Sequence, residues 1–414
     1  MFAIGSRGDV QPFIALALEM KRQGIAPIIA SHPDFEEFIS SYGIEYAPVR
    51  VDSRQLMETM SPVGTNLTKY YSAICELIDE FGETYFNDFV SACKGADAIL
   101  YVTFGGLAYH IAEAMGIPVF RVFFYPMTAT GDFSLIDHVS MGSRFLNKAS
   151  YWATERMFLL FTKRKINVYR ARLGLRPITG GQYPYESMRG KRVPVLYAFS
   201  PSIVPPPREW GDHIYITGYW FLEEPGYDPP GDLLSFLHGG DMPFYVGFGS
   251  IVEPDCRERL GSIIAEAAVR TGKRLIVCGG WNSLKLPSKV DGVFQTDSIP
   301  HDWLFQRVAG VVHHGGCGTT AAGLLAGKPT FIVHFVGDQP FWGMRVYNDG
   351  LGPKTCYYKR LTAEKLSKAI ETMSGDAMMS AKANAMGLRL REERGSEQAV
   401  QAILAEMEKP YHER

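Results

Sequence analysis

The sequence has no CxxC pair: its six cysteines, Cys75, Cys93, Cys256, Cys278, Cys317 and Cys356, stand far apart among 414 residues. That spacing excludes a zinc ribbon or a disulfide framework and points to a reducing compartment. Net charge is lacking too, with 42 basic against 44 acidic residues, so nothing global points to nucleic acid. The first residues do not read as a basic-then-apolar leader, and each apolar run is broken by charge, Gly or His before it could span a bilayer. We therefore expect a soluble, cytoplasmic protein whose membrane contact is at most peripheral. Missing also are a Gly-Lys-Ser/Thr phosphate loop, a GxGxxG turn followed by a ribose-binding acid, and any Asp-x-Asp pair. These gaps argue against a Walker A nucleotidase, a dinucleotide fingerprint and a metal-chelated diphosphate. No metal site and no cofactor are expected.

What is present is apolar material, 46% of the chain, enough for two or three domain cores. In the first half "APIIAS", "AILYVTF" and "IPVFRVFF" alternate with helical patterns, the βαβ logic of a parallel, doubly wound sheet. Ser200 to Asp232 is dense in Pro and Gly and reads as a linker. The alternation then restarts with "PFYVGFGS", "RLIVCGG", "GVFQTD", "VAGVVHH" and "PTFIVHF". The expected plan is α/β: two Rossmann-like parallel-sheet domains, 1–204 and 233–394, facing across a cleft. A linker at 205–232 joins them, and a last helix within 395–414 packs back across the boundary. The stretch from Ser53 to Glu186 is less regular and rich in aromatics, and Met157 to Arg176 carries six basic residues and no acidic one. That pattern fits a solvated helix with a Phe and Leu face turned inward, or a membrane-surface helix.

Two stretches carry chemistry. "MFAIGSRGDVQPFIALALEM" contains Arg-Gly-Asp, but its flanks read as strand, tight turn and helix. Asp9 is thus placed at a strand-to-helix junction, where open α/β folds bind ligands, and not at an adhesive hairpin tip. It is a helix cap or a site residue. The first strand is short for its kind, and we expect the chain to have been cut from a longer protein. In "VVHHGGCGTTAAGLLAGKPTFIVHFVGDQPFW" a strand ends at His313-His314, a glycine turn admits close approach, and Thr319-Thr320 open a helix whose free amides suit phosphate.

Taken with "GSRGDVQP" and "IPHDWLF", the run "HHGGCGTT…GDQPFW" resembles the nucleotide-sugar-dependent glycosyltransferases of the GT-B fold, and among them the sterol glucosyltransferases of fungi and plants. The likeness runs from Ile4 to about Ala399 and is weakest between Ser53 and Glu186, where the acceptor is expected. The regulatory membrane-targeting domains that precede the core in some fungal members are not expected here. The resemblance implies that His314, Cys317, Gly318 and Thr319 hold the diphosphate, with Ser250 facing it and Ser6 and Arg7 reaching it from the other domain. Ile299 and His301 would contact the base, Trp281 would wall that pocket, and Asp338 and Gln339 would take the sugar hydroxyls. Where related plant enzymes have a catalytic His, this chain has Asp9, which would serve as general base in an inverting displacement. Two departures stand out. A ribose-binding acid of the plant enzymes is replaced by Ala322, and the Asp that orients their His is missing, with Thr103 near its place.

The function expected is transfer of glucose from UDP-glucose to a lipophilic alcohol, a sterol first. A phenolic, flavonoid or polyketide acceptor is the alternative, and a silent sugar-nucleotide-binding protein a more distant one. Should Asp9 be only a cap, Asp132, Asp137 and His138 are the other candidate bases.

Overall fold

The computed structural model describes residues 1–60, 67–135, 141–181, 183–223, 226–249, 256–279, 284, 286–287 and 290–409. The chain divides into two compact units, one of Met1–Pro201, Pro205–Leu222 and Arg394–Arg414, the other of Ser202–Val204 and Glu223–Glu393.

The first unit is built on parallel strands in the spatial order Glu45–Pro48, Ile28–Ser31, the opening segment at Phe2, Ile99–Tyr101, Val119–Phe123, Val195–Tyr197 and Ile214–Ile216. The opening segment is short but central. Phe2 N–H donates to the Leu100 carbonyl at 2.8 Å and Ala3 N–H to the Ala30 carbonyl at 3.0 Å, so neighbours on both sides hold it. Its residues Phe2, Ala3 and Ile4 are buried, as strands covered on both faces must be. Because the chain moves to one side of this segment and later to the other, the carboxyl end of Phe2–Ile4 faces the switch point where such sheets place ligands.

From that end the helix Arg7–Arg22 departs, burying Val10, Phe13, Ile14, Leu16, Ala17 and Met20 at the spacing of one helical face. It starts a turn before Pro12, which lies inside it and cannot bond back to the Gly8 carbonyl. The irregular middle of the sequence contains two long helices, Leu67–Ala92 and Arg144–Arg172, which pack on each other.

In the second unit the parallel order is Val293–Thr296, Leu275–Cys278, Phe244–Gly247, Gly310–His313, Thr330–His334 and Cys356–Tyr357. Read in chain order this is 3-2-1-4-5-6, the doubly wound Rossmann order, with its switch point between Phe244–Gly247 and Gly310–His313. Each of those two strands is buried throughout.

The Pro- and Gly-rich stretch is not linker along its whole length: Pro205–Leu222 groups with the first unit, and Ile214–Ile216 is its outermost strand. The prolines and glycines mark the turns around that strand. The last helix, Gly395–Glu408, lies against Arg7–Arg22 and sends Ala399, Val400, Ala402 and Ile403 into the first core. Its entry is tight: a Cβ on Gly395 would stand 2.2 Å from the Tyr219 carbonyl oxygen and 2.8 Å from the Gly218 carbonyl carbon. Among the described residues no helix is long and apolar enough to cross a membrane.

Since both close atoms at Gly395 are backbone, relief requires the helix to shift. Gly395→Ala should destabilise the protein by about 1–3 kcal/mol, the usual cost of overpacking, read as a lowered urea midpoint. An unchanged midpoint would mean that the helix seats loosely.

Candidate active site

At the switch point of the first unit, the strand ends in Gly5 at φ 143°, and Ser6 follows as the extended N-cap of Arg7–Arg22. Ser6 N–H donates to Asp9 Oδ2 at 2.7 Å, the Ser6 hydroxyl donates to the same oxygen at 3.0 Å, and Asp9 N–H donates to the Ser6 carbonyl at 2.9 Å. This is a capping box, so the cap reading of Asp9 is correct as far as Oδ2 goes. Oδ1 accepts no hydrogen bond among the described residues. One oxygen is structural and the other is available.

Asp9 is half-buried, and burial pushes its carboxyl up from the usual 3.8 to about 6, outweighing the two bonds from Ser6 that favour the anion. Gly5 is required by this packing, because a Cβ there would stand 2.4 Å from Asp9 Oδ2. Beneath the turn lies His32, fully buried, which the sequence reading passed over. Its Nε2 accepts Gly5 N–H at 3.2 Å while Nδ1 lies 2.6 Å from the Val51 carbonyl, and burial lowers its pKa. Those partners fix a neutral ring with the proton on Nδ1. The signal available in the sequence was its place just beyond "IIAS", at the carboxyl end of the neighbouring strand.

Other predicted residues of this unit stand apart from Asp9 or are otherwise engaged. The Ser6 hydroxyl is committed to Asp9, and Arg7 is exposed, with Nε donating to Gln11 at 3.3 Å and its guanidinium over the Phe38 ring. Thr103 is exposed in the turn after Ile99–Tyr101. Asp132 pairs with Arg144 at 2.6 Å. Asp137 and His138 lie outside the described residues, as do Ser250 and Trp281.

In the second unit Gly247 is in register with His313, so "GFGS" and "HHGG" leave the sheet side by side. His313 is buried, and its Nδ1 accepts Gly315 N–H at 2.9 Å, which puts the proton on Nε2. The His314 ring is wedged between glycines: a Cβ on Gly249 would lie 3.2 Å from it, and one on Gly316 only 2.5 Å from its Nε2. Burial lowers the His314 pKa to about 4, so near neutral pH the ring offers an N–H and not a charge. Gly316 is the N-cap of Cys317–Leu325, with Gly318 exposed and Thr319 half-buried on its first turn. The Thr320 hydroxyl is spent on the Gly316 carbonyl at 2.9 Å. Burial, helped by nearby Asp338, keeps Cys317 a thiol.

Asp338 and Gln339 approach this turn from the next strand, and Gly315 is in close contact with Gln339. Gln339 is buried, and its Oε1 accepts Phe335 N–H at 2.7 Å and Val336 N–H at 3.2 Å. Only its NH2 remains to donate. Asp338 Oδ2 accepts the indole N–H of Trp342 at 2.7 Å, and Trp342 is wholly buried. His301 stacks on Phe305 at 4.5 Å and its Nε2 lies 3.2 Å from the Tyr245 hydroxyl, while Ile299 is buried. The described residues therefore assemble His314, Cys317, Gly318, Thr319, Asp338 and Gln339 around one glycine turn. Ala322 lies on the same helix against the core and offers no polar group.

Comparison with known proteins agrees with both halves. Residues 1–134 match the glycosyltransferase family 28 N-terminal domain, and residues 268–409 match the erythromycin biosynthesis protein CIII-like C-terminal domain. The solved structure of the glycotransferase of kitacinnamycin superposes with a TM-score of 0.72 at 16% identity, covering 99% of this chain and 98% of that one. The glycosyltransferase VinC, in complex with dTDP, gives 0.70 at 16% identity and 99% of both chains. The chain has the GT-B fold. Among curated relatives, the sterol 3-beta-glucosyltransferase of Leptosphaeria maculans is 36% identical over 98% of this chain and 28% of its own length. That of Arabidopsis thaliana is 36% identical over 97% of this chain and 64% of its own. The chain thus spans well under a third of the fungal relative's length and under two thirds of the plant relative's.

A carboxyl raised by burial lends the fold stability that is fully present below the usual 3.8 and lost as pH rises through about 6. Asp9→Asn, which cannot ionise, should therefore gain in urea midpoint relative to the natural protein between about pH 4 and about pH 8. A difference that does not change with pH would show that Asp9 titrates like an exposed carboxylate.

Proposed function

We propose that this chain transfers glucose from UDP-glucose to the hydroxyl of a sterol, or of a similarly flat lipophilic alcohol, with inversion at the anomeric carbon. The observation that carries the reading is Asp9: Ser6 fixes one carboxylate oxygen, the other accepts no hydrogen bond among the described residues, and burial tunes the group to about 6. That is the range in which a carboxylate is both ionised near neutral pH and basic enough to accept a proton.

In the proposed step the acceptor O–H bonds to Asp9 Oδ1. Its oxygen attacks the anomeric carbon, the carbon–oxygen bond to UDP breaks, and the proton passes to Asp9. Amides at the start of Cys317–Leu325, the N–H of His314 and the Thr319 hydroxyl would hold the departing diphosphate, without a metal. Asp338 and the Gln339 amide would bind sugar hydroxyls. Glucose and a sterol are favoured because the relatives at 36% identity are sterol 3-beta-glucosyltransferases. Polyketide acceptors would draw only on structures of 18% identity or less, which speak to fold alone.

Asp9→Asn should still bind UDP-glucose while transfer falls by about a hundredfold or more, the range that a general base supplies. Asp9→His should recover part of the loss, with an activity limb near the imidazole range of about 6.5. Natural turnover in the Asn variant, with a panel of sterols and phenols as acceptors, would reduce Asp9 to a helix cap. UDP binding with no transfer to any acceptor would favour a sugar-nucleotide-binding protein.

Asp338→Ala is expected to impair glucose transfer far more than UDP affinity, since the carboxylate is assigned to the sugar. If calorimetry shows UDP binding dropping as steeply as turnover, the assignment fails.

A further inference from the structure

The helix Arg144–Arg172 carries eight basic residues and one acidic residue, and its outer face exposes large apolar side chains, with Arg156 donating to the Gly181 carbonyl at 3.1 Å. Phe145 is 77% exposed, Trp152 61% and Leu160 77%. With Arg156 and Lys163 they recur at steps of seven, four, four and three residues, which sets them along one side of the helix. Leu146 and Arg164 flank the row. Three large apolar side chains along one exposed face, a Trp and a Phe among them, are unusual for a surface helix.

The charges along the row are not cancelled. Arg144 and Lys148 pair with Asp132 and Glu209 at the amino end, and Lys165 and Arg172 with Asp79 and Glu83 towards the carboxyl end. Arg170 turns inward to Glu113 at 2.5 Å. Arg156, Lys163 and Arg164, beside the exposed Trp152 and Leu160, have no ion-pair partner among the described residues. Glu155, the single acid of the helix, is half-buried off this row, and burial raises it to about 7.

We infer that this face of Arg144–Arg172 is a docking surface for an anionic lipid bilayer. Trp and Phe suit the headgroup boundary, Leu the acyl region just below it, and three unpaired cations the lipid phosphates. Pairing with a second copy through the same face would set these three cations against their own kind, which disfavours that occupant. The inference does not rest on the proposed glucosyl transfer, because its readout is binding.

The test is sedimentation of the full chain with phosphatidylcholine vesicles, with and without phosphatidylserine, at low and high salt. The natural protein should pellet with the phosphatidylserine vesicles and be released by salt. Phe145→Ser/Trp152→Ser/Leu160→Ser, and separately Arg156→Glu/Lys163→Glu/Arg164→Glu, should each lower that binding by about tenfold or more. Thermal melts would verify folding, and should a triple fail to fold, Leu160→Ser and Lys163→Glu alone would serve. Failure of the natural protein to pellet, or equal pelleting by the variants, overturns the inference. So does a natural dimer, seen by light scattering, that the variants turn into monomers.

Discussion

Asp9 Oδ2 receives both the amide and the hydroxyl of Ser6, and the geometry of the first unit's site depends on that pair of bonds. They determine where Oδ1 points. They also commit the chain to a helix at the one position where the sheet changes direction. The bonds could not form if Gly5 carried a Cβ, and the turn could not sit as it does without a neutral His32 beneath it to accept its amide. A cap on an exposed helix would leave its carboxylate a weak base. Partial burial behind Gly5 opposes the two Ser6 bonds and returns basicity to the group.

The second unit reaches a comparable result by leaving side chains out. Gly249 and Gly316 press against the two sides of His314, and Gly315 against Gln339. Both histidines at the strand end are held neutral by burial, and the thiol of Cys317 is held protonated. The turn therefore presents donors almost without fixed charge, and a diphosphate would supply the charge itself. The backbone amides of Phe335 and Val336, held by Gln339 Oε1, and the Trp342 indole, held by Asp338 Oδ2, determine which atoms of those two residues face the turn.

Much of this is legible in the sequence where structure follows from local pattern. Buried parallel strands announce themselves as apolar runs such as "FYVG" and "GVVH", and glycine turns as gaps between them. Legibility fails where distant residues meet. Nothing in "ASHPDF" says that His32 will accept an amide from Gly5, because that bond spans 27 positions. The relative weight of helix start and burial at Asp9 depends on packing that only the folded unit supplies. Composition misled at Pro205–Leu222, where Pro and Gly density hid the three-residue strand Ile214–Ile216. A strand so short, and only half-buried, gives no periodicity to read.

The last helix has a consequence for how the protein is made. Ala399, Val400, Ala402 and Ile403 belong to the core that Phe13 and Leu16 begin, so the first unit is closed by residues that follow the whole second unit in the chain. During synthesis the Arg7–Arg22 helix must wait, with part of its apolar face uncovered, while the entire second unit is translated and can fold by itself. The nascent first unit is thus open to chaperones until the second unit has been translated.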